Sequence, residues 1–478
     1  MSTKALARNT ALQIAGKTLA TLFGLLTVAV LTRYLGTAGY GQLTIVLTFL
    51  SVFAVIVDFG LTLTTTQMIS EHKAKEENLL GNLLSLRIIS AILFLALAPI
   101  VAIFFPYDQI VKVAIAVGVL SYLFGSTSQM FIGVFQKRLV IGRFVLAELI
   151  NRAAVLVGAA AAPLLGLDLI GIVWILVLGN ALQLISIIAF ARRYVRLRFR
   201  LNLTTWKEII SRSWPIGASI FFNLIYLRGD IVFLSLYRSE AEVGLYGAAY
   251  KVVDVVTAVP VMFMGLALPI LIASWGGGVR AKFKEHMQSF LDFMTVAALP
   301  IAFGSIAVGP ALMAFVAGDD FRESGEVLTV LGPAAAVVFF GALFGHAIVA
   351  LNKQRVMLWG YLAVAVVTVV GYLIFIPIYG MWAAAWLTLI SEVLITLLTF
   401  IVVSKVSGYR PKFKTVAIAT GASIIMLLGL LIIPSVHVLV DVALGAIIYT
   451  IALVALGGPK PKDVIRLFLP EKPPISQP

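Results

Sequence analysis

The chain has 478 residues, of which 61% are hydrophobic and 12% are charged, and its formal net charge is +14. Soluble domains carry about 25% charged residues, so this composition excludes a water-soluble globule and indicates a protein that lies mostly within a bilayer. Cysteine is absent, which excludes disulfide bonds and thiolate metal sites.

Apolar stretches of about 20 residues, the length that crosses a bilayer as a helix, recur along the chain. They are continuous and lack the strict alternation of a transmembrane β-barrel. We therefore predict an all-α integral membrane protein with about fourteen transmembrane helices. The predicted spans are 10–33, 42–66, 82–104, 110–135, 143–164, 169–190, 214–237, 243–272, 288–310, 325–351, 356–377, 380–403, 415–433 and 438–457.

The basic residues are unevenly distributed between the two sides that these spans define. Most lie in loops on the same side as the N-terminus, and the opposite loops hold only Arg33, Lys112, Arg238 and Arg322. This asymmetry is the positive-inside rule. It predicts a multi-pass protein of the cell (plasma or inner) membrane with both termini in the cytoplasm. The charge is then a topology signal that favours contact with anionic membrane lipids, and no nucleic-acid partner is predicted.

The two halves of the chain resemble one another. TAGYGQLTIVL after the first span is echoed by EVGLYGAAYKVV after the seventh. FGSTSQMFIGVFQKR aligns with FGALFGHAIVALNKQ, so that Gly125 matches Gly341, and LIGIVWILVLGN matches YGMWAAAWLTLI. Because a duplicated unit of six helices inserts twice in the same orientation, the pattern indicates a parallel repeat, as in several secondary transporters.

The repeat divides the chain into predicted domains. They are an N-lobe of spans 1–6 at 1–191, a cytoplasmic amphipathic linker at 192–213, a C-lobe of spans 7–12 at 214–404, spans 13 and 14 at 405–457, and a cytoplasmic tail at 458–478. Within the linker, Thr204 or Thr205 is the predicted N-cap of a short helix.

The segment LTRYLGTAGYGQLTIVLTFLSVFAVIVDFGL resembles the first signature of polysaccharide flippases, the Wzx-type branch of the multidrug/oligosaccharidyl-lipid/polysaccharide exporter superfamily. The residues that carry the resemblance are Arg33, Leu35, Gly36, Tyr40, Gly41, Asp58, Phe59 and Gly60. EVGLYGAAYKVVD, NKQRVML and IPIYGMWAAAWLTLISE resemble further segments of the family. The resemblance implies that two pseudo-symmetric six-helix lobes enclose a central cavity, with two extra C-terminal helices. It also implies export of polyprenyl-diphosphate-linked oligosaccharide from the inner to the outer leaflet.

Ionisable side chains within spans normally face the protein interior or a wet cavity, because exposure to lipid costs several kcal/mol. The four deepest cations are predicted to hold the diphosphate, and they are Lys17, Arg152, Arg228 and Lys251. The side chains predicted to contact the sugar are those of Asn9, Gln13, Asn223, Tyr226 and Tyr250. Asp230, Asp254 and Glu392 are candidates for coupling to H⁺ or Na⁺. No catalytic residue, metal or organic cofactor is predicted.

Several of these charges also have a structural interpretation. Glu148 and Arg152 are spaced i,i+4 and Lys251 and Asp254 are spaced i,i+3, so each set is suited to an internal ion pair. Asp58 lies in VDFGL, where a helix-end role and a coupling role both remain open.

Three other functions compete with oligosaccharide export. A multidrug/cation antiporter of the same superfamily predicts twelve spans and a cavity dominated by carboxylates, and it stays the alternative. A membrane-embedded enzyme would need a large outer loop with Arg and His, which the chain lacks. A scaffold is not excluded, but duplicated halves with buried charge favour a moving transporter. The predicted partners are lipid-linked oligosaccharide, membrane lipids and other polysaccharide-assembly proteins.

Overall fold

A computed structural model gives the architecture of the chain. It describes the backbone of residues 3–62, 64, 67–68, 76–138, 140–195, 199–278, 280–434 and 437–459, and the side chains of the same residues except 3–12, 14, 76, 219, 223 and 225–227. Within these ranges the structure is helical and contains no β-strand. The helices are α1 (Thr3–Asp58), α2 (Glu76–Ile103), α3 (Gln109–Gln129), α4 (Ile132–Lys137), α5 (Gly142–Leu165), α6 (Leu169–Ala191), α7 (Leu203–Tyr237), α8 (Glu240–Gly276), α9 (Arg280–Ala317), α10 (Arg322–Ala350), α11 (Gln354–Tyr379), α12 (Met381–Ser407), α13 (Lys414–Ile432) and α14 (Val438–Ala455).

This architecture confirms the predicted all-α membrane fold. Among the described residues, 12 helical segments are long and apolar enough to cross a bilayer. The first of them, Ala15–Asp58, covers most of the first two predicted spans. In addition to these segments, α7 covers the seventh predicted span. The fourth predicted span is divided between α3 and α4, and each of the others has one helix.

α1 is interrupted at Gly36, between the first two predicted spans. Gly36 has φ 66° and ψ −175°, which is not helical and which residues with a Cβ rarely adopt. Just before the break, the Tyr34 hydroxyl donates a hydrogen bond of 2.9 Å to the Leu167 carbonyl at the turn between α5 and α6. Glycine therefore lets two spans follow one another with almost no loop.

α7 begins inside the predicted linker, and its N-cap differs from the predicted one. The cap is Asn202, whose Oδ1 accepts hydrogen bonds of 3.0 and 3.1 Å from the backbone N–H groups of Thr204 and Thr205. Asparagine caps at least as well as threonine. The Asn202 N–H in turn donates to Asn82 Oδ1 of α2 at 2.8 Å, which ties the start of α7 to α2.

The helices divide into two compact units. The first unit comprises Met1–Ala248, Val316–Asp320 and Tyr372–Met381. The second comprises Ala249–Phe315, Phe321–Gly371 and Trp382–Pro478. Each has its own apolar core, which includes Phe131 and Phe135 in the first unit and Phe290 and Phe339 in the second.

The two last helices of the second unit are attached to α9 by hydrogen bonds. Gln288 Oε1 accepts from the Tyr409 hydroxyl at 2.9 Å and from the Lys412 N–H at 2.8 Å, while its Nε2 donates to the Lys412 carbonyl at 3.0 Å. The Tyr449 hydroxyl of α14 donates to the Val296 carbonyl at 2.8 Å. Burial raises the pKa of Tyr409 above the ordinary value for a phenol.

Candidate substrate cavity

The first unit contains a cavity of about 580 Å³ between α1, α2, α3, α6 and α7. Hydroxyl, amide and charged side chains make up most of its lining. The lining residues are Ser51, Ala54, Val55, Asp58, Thr62, Arg87, Ser121, Tyr122, Gly125, Ser126, Gln129, Asn180 and Ile220. Because polar groups at bilayer depth are rare and costly unless they are used or satisfied, this cavity is the candidate functional site.

An ion pair lies at one side of the cavity. Arg87 Nη1 is 2.5 Å from Asp58 Oδ1, and the Arg87 side chain is only 4% exposed. Arg87 Nε donates to Ser126 Oγ at 2.9 Å, and the Thr62 hydroxyl donates to Asp58 Oδ1. Asp58 is the last residue of α1, where the helix dipole disfavours a negative charge, so the guanidinium compensates both the dipole and the burial.

A chain of amide and hydroxyl groups continues from the opposite wall into α5 and α6. Asn180 Nδ2 donates to Ser121 Oγ at 2.8 Å. Asn151 Nδ2 donates to Gln183 Oε1 at 2.7 Å and to Asn180 Oδ1 at 3.3 Å. A Cβ on Gly125 would lie 3.2 Å from Asn180 Oδ1, so glycine leaves the space that this amide occupies.

Of the four predicted phosphate-binding cations, Arg228 has a link to this cavity. Arg228 is partly exposed on α7, and its charge acts on the phenol of Tyr122 in the cavity wall. The Tyr122 hydroxyl itself donates a hydrogen bond of 2.6 Å to the Leu47 carbonyl of α1.

The other three predicted cations do not line the cavity. Lys17 on α1 and Arg152 on α5 are exposed. Although both residues are described, Arg152 forms no ion pair with Glu148. Lys251 lies in the second unit, where its Nζ is 3.6 Å from Asp254 Oδ2. The i,i+3 spacing therefore produces a pair, whereas the i,i+4 spacing does not.

Of the five predicted sugar contacts, the structure describes the side chains of Gln13 and Tyr250. The side chains of Asn9, Asn223 and Tyr226 lie outside the described residues. Gln13 is exposed on α1, and Tyr250 is buried on α8 in the second unit. Neither of these two is among the residues that line the cavity of the first unit.

The three predicted coupling carboxylates have different surroundings. Asp230 is fully buried in the first unit, where the Tyr246 hydroxyl donates to its Oδ2 at 2.6 Å. Asp254 is paired with Lys251. Glu392 is buried on α12 in the second unit, with 5% of its surface exposed.

The neutral polar residues that line the cavity were not identified from the sequence, because the Asn and Gln residues chosen as sugar contacts lie elsewhere on α1 and α7. The spacing of small and polar residues in α3 could have indicated this lining. Ser121, Gly125 and Gln129 follow one another at i, i+4 and i+8, and therefore share one face of α3. Asp58 was predicted to have either a helix-end role or a coupling role, and Arg87 was not predicted as part of the site.

A second, apolar groove of about 390 Å³ lies within the second unit between α8, α9, α10, α13 and α14. Its walls are mostly aliphatic, and Ser305 and Asp441 are the polar side chains among them. The lining residues are Val252, Val253, Val256, Pro300, Ile301, Gly304, Ser305, Val308, Leu312, Leu328, Gly332, Ala335, Met426, Leu430, Asp441, Val442, Gly445 and Ala446. A groove of this kind matches a hydrocarbon chain in polarity.

Comparison with known proteins adds a family match and several fold matches. Residues 6–275 match the family model described as "Polysaccharide biosynthesis protein". A curated relative, the probable low-salt glycan biosynthesis flippase Agl15 of Haloferax volcanii, is 21% identical over 405 residues and covers 82% of each chain.

Two solved structures show the same fold. The lipid II flippase MurJ in an inward closed conformation has a TM-score of 0.79 at 14% identity, over 95% of this chain and 100% of that one. An inward-facing multidrug resistance MATE family transporter of the MOP superfamily has a TM-score of 0.67 at 13% identity, over 81% and 94% of the two chains.

Proposed function

Because the chain belongs to the polysaccharide biosynthesis protein family, we propose that it flips polyprenyl-diphosphate-linked oligosaccharide from the inner to the outer leaflet by alternating access. The family match and the similarity to MurJ confirm the resemblance to the MOP superfamily that the sequence motifs indicated. The cargo would serve the synthesis of cell-surface polysaccharide, and the protein itself would carry out no catalytic step.

The observation that carries this proposal is the polar cavity of the first unit. A headgroup of sugars and phosphates needs hydrogen-bond donors and acceptors in place of water, and the cavity lining supplies both through Asn180, Ser121, Gln129 and the Asp58–Arg87 pair. The apolar groove of the second unit has the complementary property, since its aliphatic walls suit a polyprenyl tail. The fold thus offers separate environments for the two chemically different parts of the cargo.

We propose Arg228 as the first side chain to bind the diphosphate, because its charge acts on Tyr122, which lines the cavity. Lys17, Arg152 and Lys251 are proposed as further cations along the path, two of them exposed and one held by Asp254. An arginine binds phosphate oxygens through two parallel N–H groups, whereas a lysine acts as a point charge. Asn9, Gln13, Asn223, Tyr226 and Tyr250 remain proposed sugar contacts.

The proposed setting is the cell membrane, with both termini in the cytoplasm. The support is the concentration of Lys and Arg in loops on one side of the spans. Other polysaccharide-assembly proteins are the proposed partners, since a flipped oligosaccharide must be supplied on one side and used on the other.

The test is a leaflet assay on the purified protein in vesicles, with a fluorescent polyprenyl-diphosphate sugar and a membrane-impermeant quencher. The variant replaces Lys17, Arg152, Arg228 and Lys251 with Gln, and the matched control replaces four cations outside the spans, Arg280, Lys282, Arg322 and Arg355, with Gln. We expect at least a tenfold loss of flipping in the first variant alone, because a hydrogen bond to a charged group contributes about 1.5–3 kcal/mol.

Two results would overturn parts of this proposal. Equal flipping by both variants would remove the cation assignment. Failure of the wild-type protein to move the lipid, together with transport of an organic cation, would favour the multidrug/cation antiporter instead.

A further inference from the structure

The matched glycines Gly125 and Gly341 face polar side chains on matched helices of the repeat. In the first unit, a Cβ on Gly125 of α3 would lie 3.2 Å from Asn180 Oδ1 of α6. In the second unit, a Cβ on Gly341 of α10 would lie 3.0 Å from Thr396 Oγ1 and 4.0 Å from Glu392 Oε2, both on α12. The glycine therefore faces an amide in the first unit, and a hydroxyl and a carboxyl group in the second.

The amide and the carboxyl group differ in their partners. Asn180 donates to Ser121 Oγ and to the Leu176 carbonyl. Glu392 is 5% exposed, and within the described part of the chain its carboxyl group has no hydrogen bond or ion pair. The buried hydroxyl of Thr396, one helical turn away, also lacks a partner there.

The helices packed around Glu392 bring few other ionisable groups. On α11, the phenol of Tyr361 is near enough for a charge on Glu392 to act on it. On α10, His346 lies five residues after Gly341, and its Nδ1 is 2.7 Å from the Ala342 carbonyl of its own helix. Among the residues that the structure describes, no lysine or arginine pairs with this carboxyl group.

A carboxyl group in such surroundings is suited to binding a proton. Burying an ionised carboxylate without a partner costs much more free energy than burying the neutral acid, because the charged form loses far more hydration energy. A metal ion would need several oxygen ligands, and the described residues contain no group of three or more His, Asp or Glu side chains that would hold one. Asp230 and Asp254 are less suited to binding a proton, because the carboxyl group of each already has a polar partner.

We propose that Glu392 is the proton-binding site of the transport cycle. When water is excluded from its surroundings, the carboxylate binds one proton and becomes the neutral acid. When water reaches it, the acid releases that proton. This inference rests on the proposed function, since a coupling site needs a cargo whose movement it drives.

The first experiment detects the proton without any cargo. Infrared difference spectra of the full-length protein in vesicles are recorded between acidic and alkaline buffer, for the wild type, Glu392→Gln, Glu392→Asp and the matched control Glu326→Gln, whose side chain is exposed on α10. We expect a band of a buried protonated carboxyl group that disappears on alkalinisation in the wild type and in Glu326→Gln. The band should be lost in Glu392→Gln and shifted in Glu392→Asp. A band that persists in Glu392→Gln would overturn the proposal.

The second experiment measures flipping of the fluorescent polyprenyl-diphosphate sugar with and without an imposed pH gradient. We expect a gradient to accelerate the wild type and Glu326→Gln severalfold, and to leave Glu392→Gln unchanged while its flipping without a gradient persists. A response of Glu392→Gln equal to that of the wild type, or stimulation by a Na⁺ gradient in place of a pH gradient, would overturn the assignment. A wild type that moves no lipid but retains the infrared band would overturn the proposed function and leave the proton site standing.

Discussion

Gly41 of α1 and Gly244 of α8 meet with their backbones in direct contact, within the first unit. A Cβ on Gly41 would collide with the Glu240 carbonyl, and one on Gly244 would collide with the Thr37 carbonyl. Beside this crossing, Gln42 Nε2 donates to Glu240 Oε2 at 2.7 Å. The two glycines belong to TAGYG and EVGLYG, the segments that echo one another in the sequence, so the repeat brings its own matched segments together.

Because of this glycine crossing, the same Gly→Ala substitution at two positions of α8 should change the free energy of unfolding in opposite directions. Gly244→Ala should lower the free energy of unfolding by about 1–3 kcal/mol, because the added methyl group must displace the backbone of α1. Gly265→Ala should raise it by up to about 1 kcal/mol, since no atom lies within 4 Å of the new Cβ and alanine favours the helix. Thermal unfolding in detergent measures both changes. Equal shifts of the same sign would contradict the close crossing.

The Asp58–Arg87 pair should contribute much more to stability than an exposed pair. Arg87→Gln leaves a partly buried carboxylate at the end of α1 without its cation, which should lower the free energy of unfolding by about 3–5 kcal/mol. The double variant Asp58→Asn, Arg87→Gln should recover part of that loss, because it removes both charges.

The matched control for this pair is Arg212→Gln. Its partner Glu208 is 3.0 Å away, and the two side chains are 39% and 50% exposed, so solvent screening limits the expected loss to about 0–1 kcal/mol. Chemical unfolding with a double-mutant cycle at each pair gives the coupling energies. Similar coupling energies at both pairs would show that burial of Arg87 does not strengthen its ion pair with Asp58.

The amide chain behind the cavity should be needed for the orientation of Asn180. Asn151→Leu removes the donor to Gln183 Oε1 and to Asn180 Oδ1, and leaving these acceptors unsatisfied should cost about 1–3 kcal/mol. Flipping of the fluorescent lipid should fall as well, since Asn180 lines the cavity. Ser186→Ala is the control, because its hydroxyl donates to the Leu182 carbonyl of its own helix, and its effect should stay within about 0.5 kcal/mol.

Gln288 should determine how firmly α13 and α14 are attached to α9. Gln288→Leu removes its hydrogen bonds to Tyr409 and Lys412. Amide hydrogen exchange in Lys414–Ile432 and Val438–Ala455 should then become faster, because local opening needs less free energy. Thr450→Val is the control, as its hydroxyl bonds the Ala446 carbonyl within α14. Unchanged exchange in Gln288→Leu would mean that apolar packing alone holds these helices.

The helices were predictable because their cause lies in local patterns. A run of about 20 apolar residues must span the bilayer wherever it occurs, and glycines at matched positions mark where helices approach closely. The break at Gly36 and the cap at Asn202 were less predictable. Several neighbouring residues were suited to either role, and contacts with distant residues such as Leu167 and Asn82 favour the ones observed.

Hydrophobicity and charge act residue by residue, so their pattern along the chain predicts a membrane protein and its approximate helices. The family resemblance came from short motifs, which are equally local. Which polar side chains satisfy one another across helices depends on the folded structure. Asp58 of α1 pairs with Arg87 of α2, while the carboxyl group of Glu392 has no hydrogen bond or ion pair among the described residues. The physical reason is that the state of a buried charge depends on neighbours brought to it by helix packing, and spacing along one helix does not specify them.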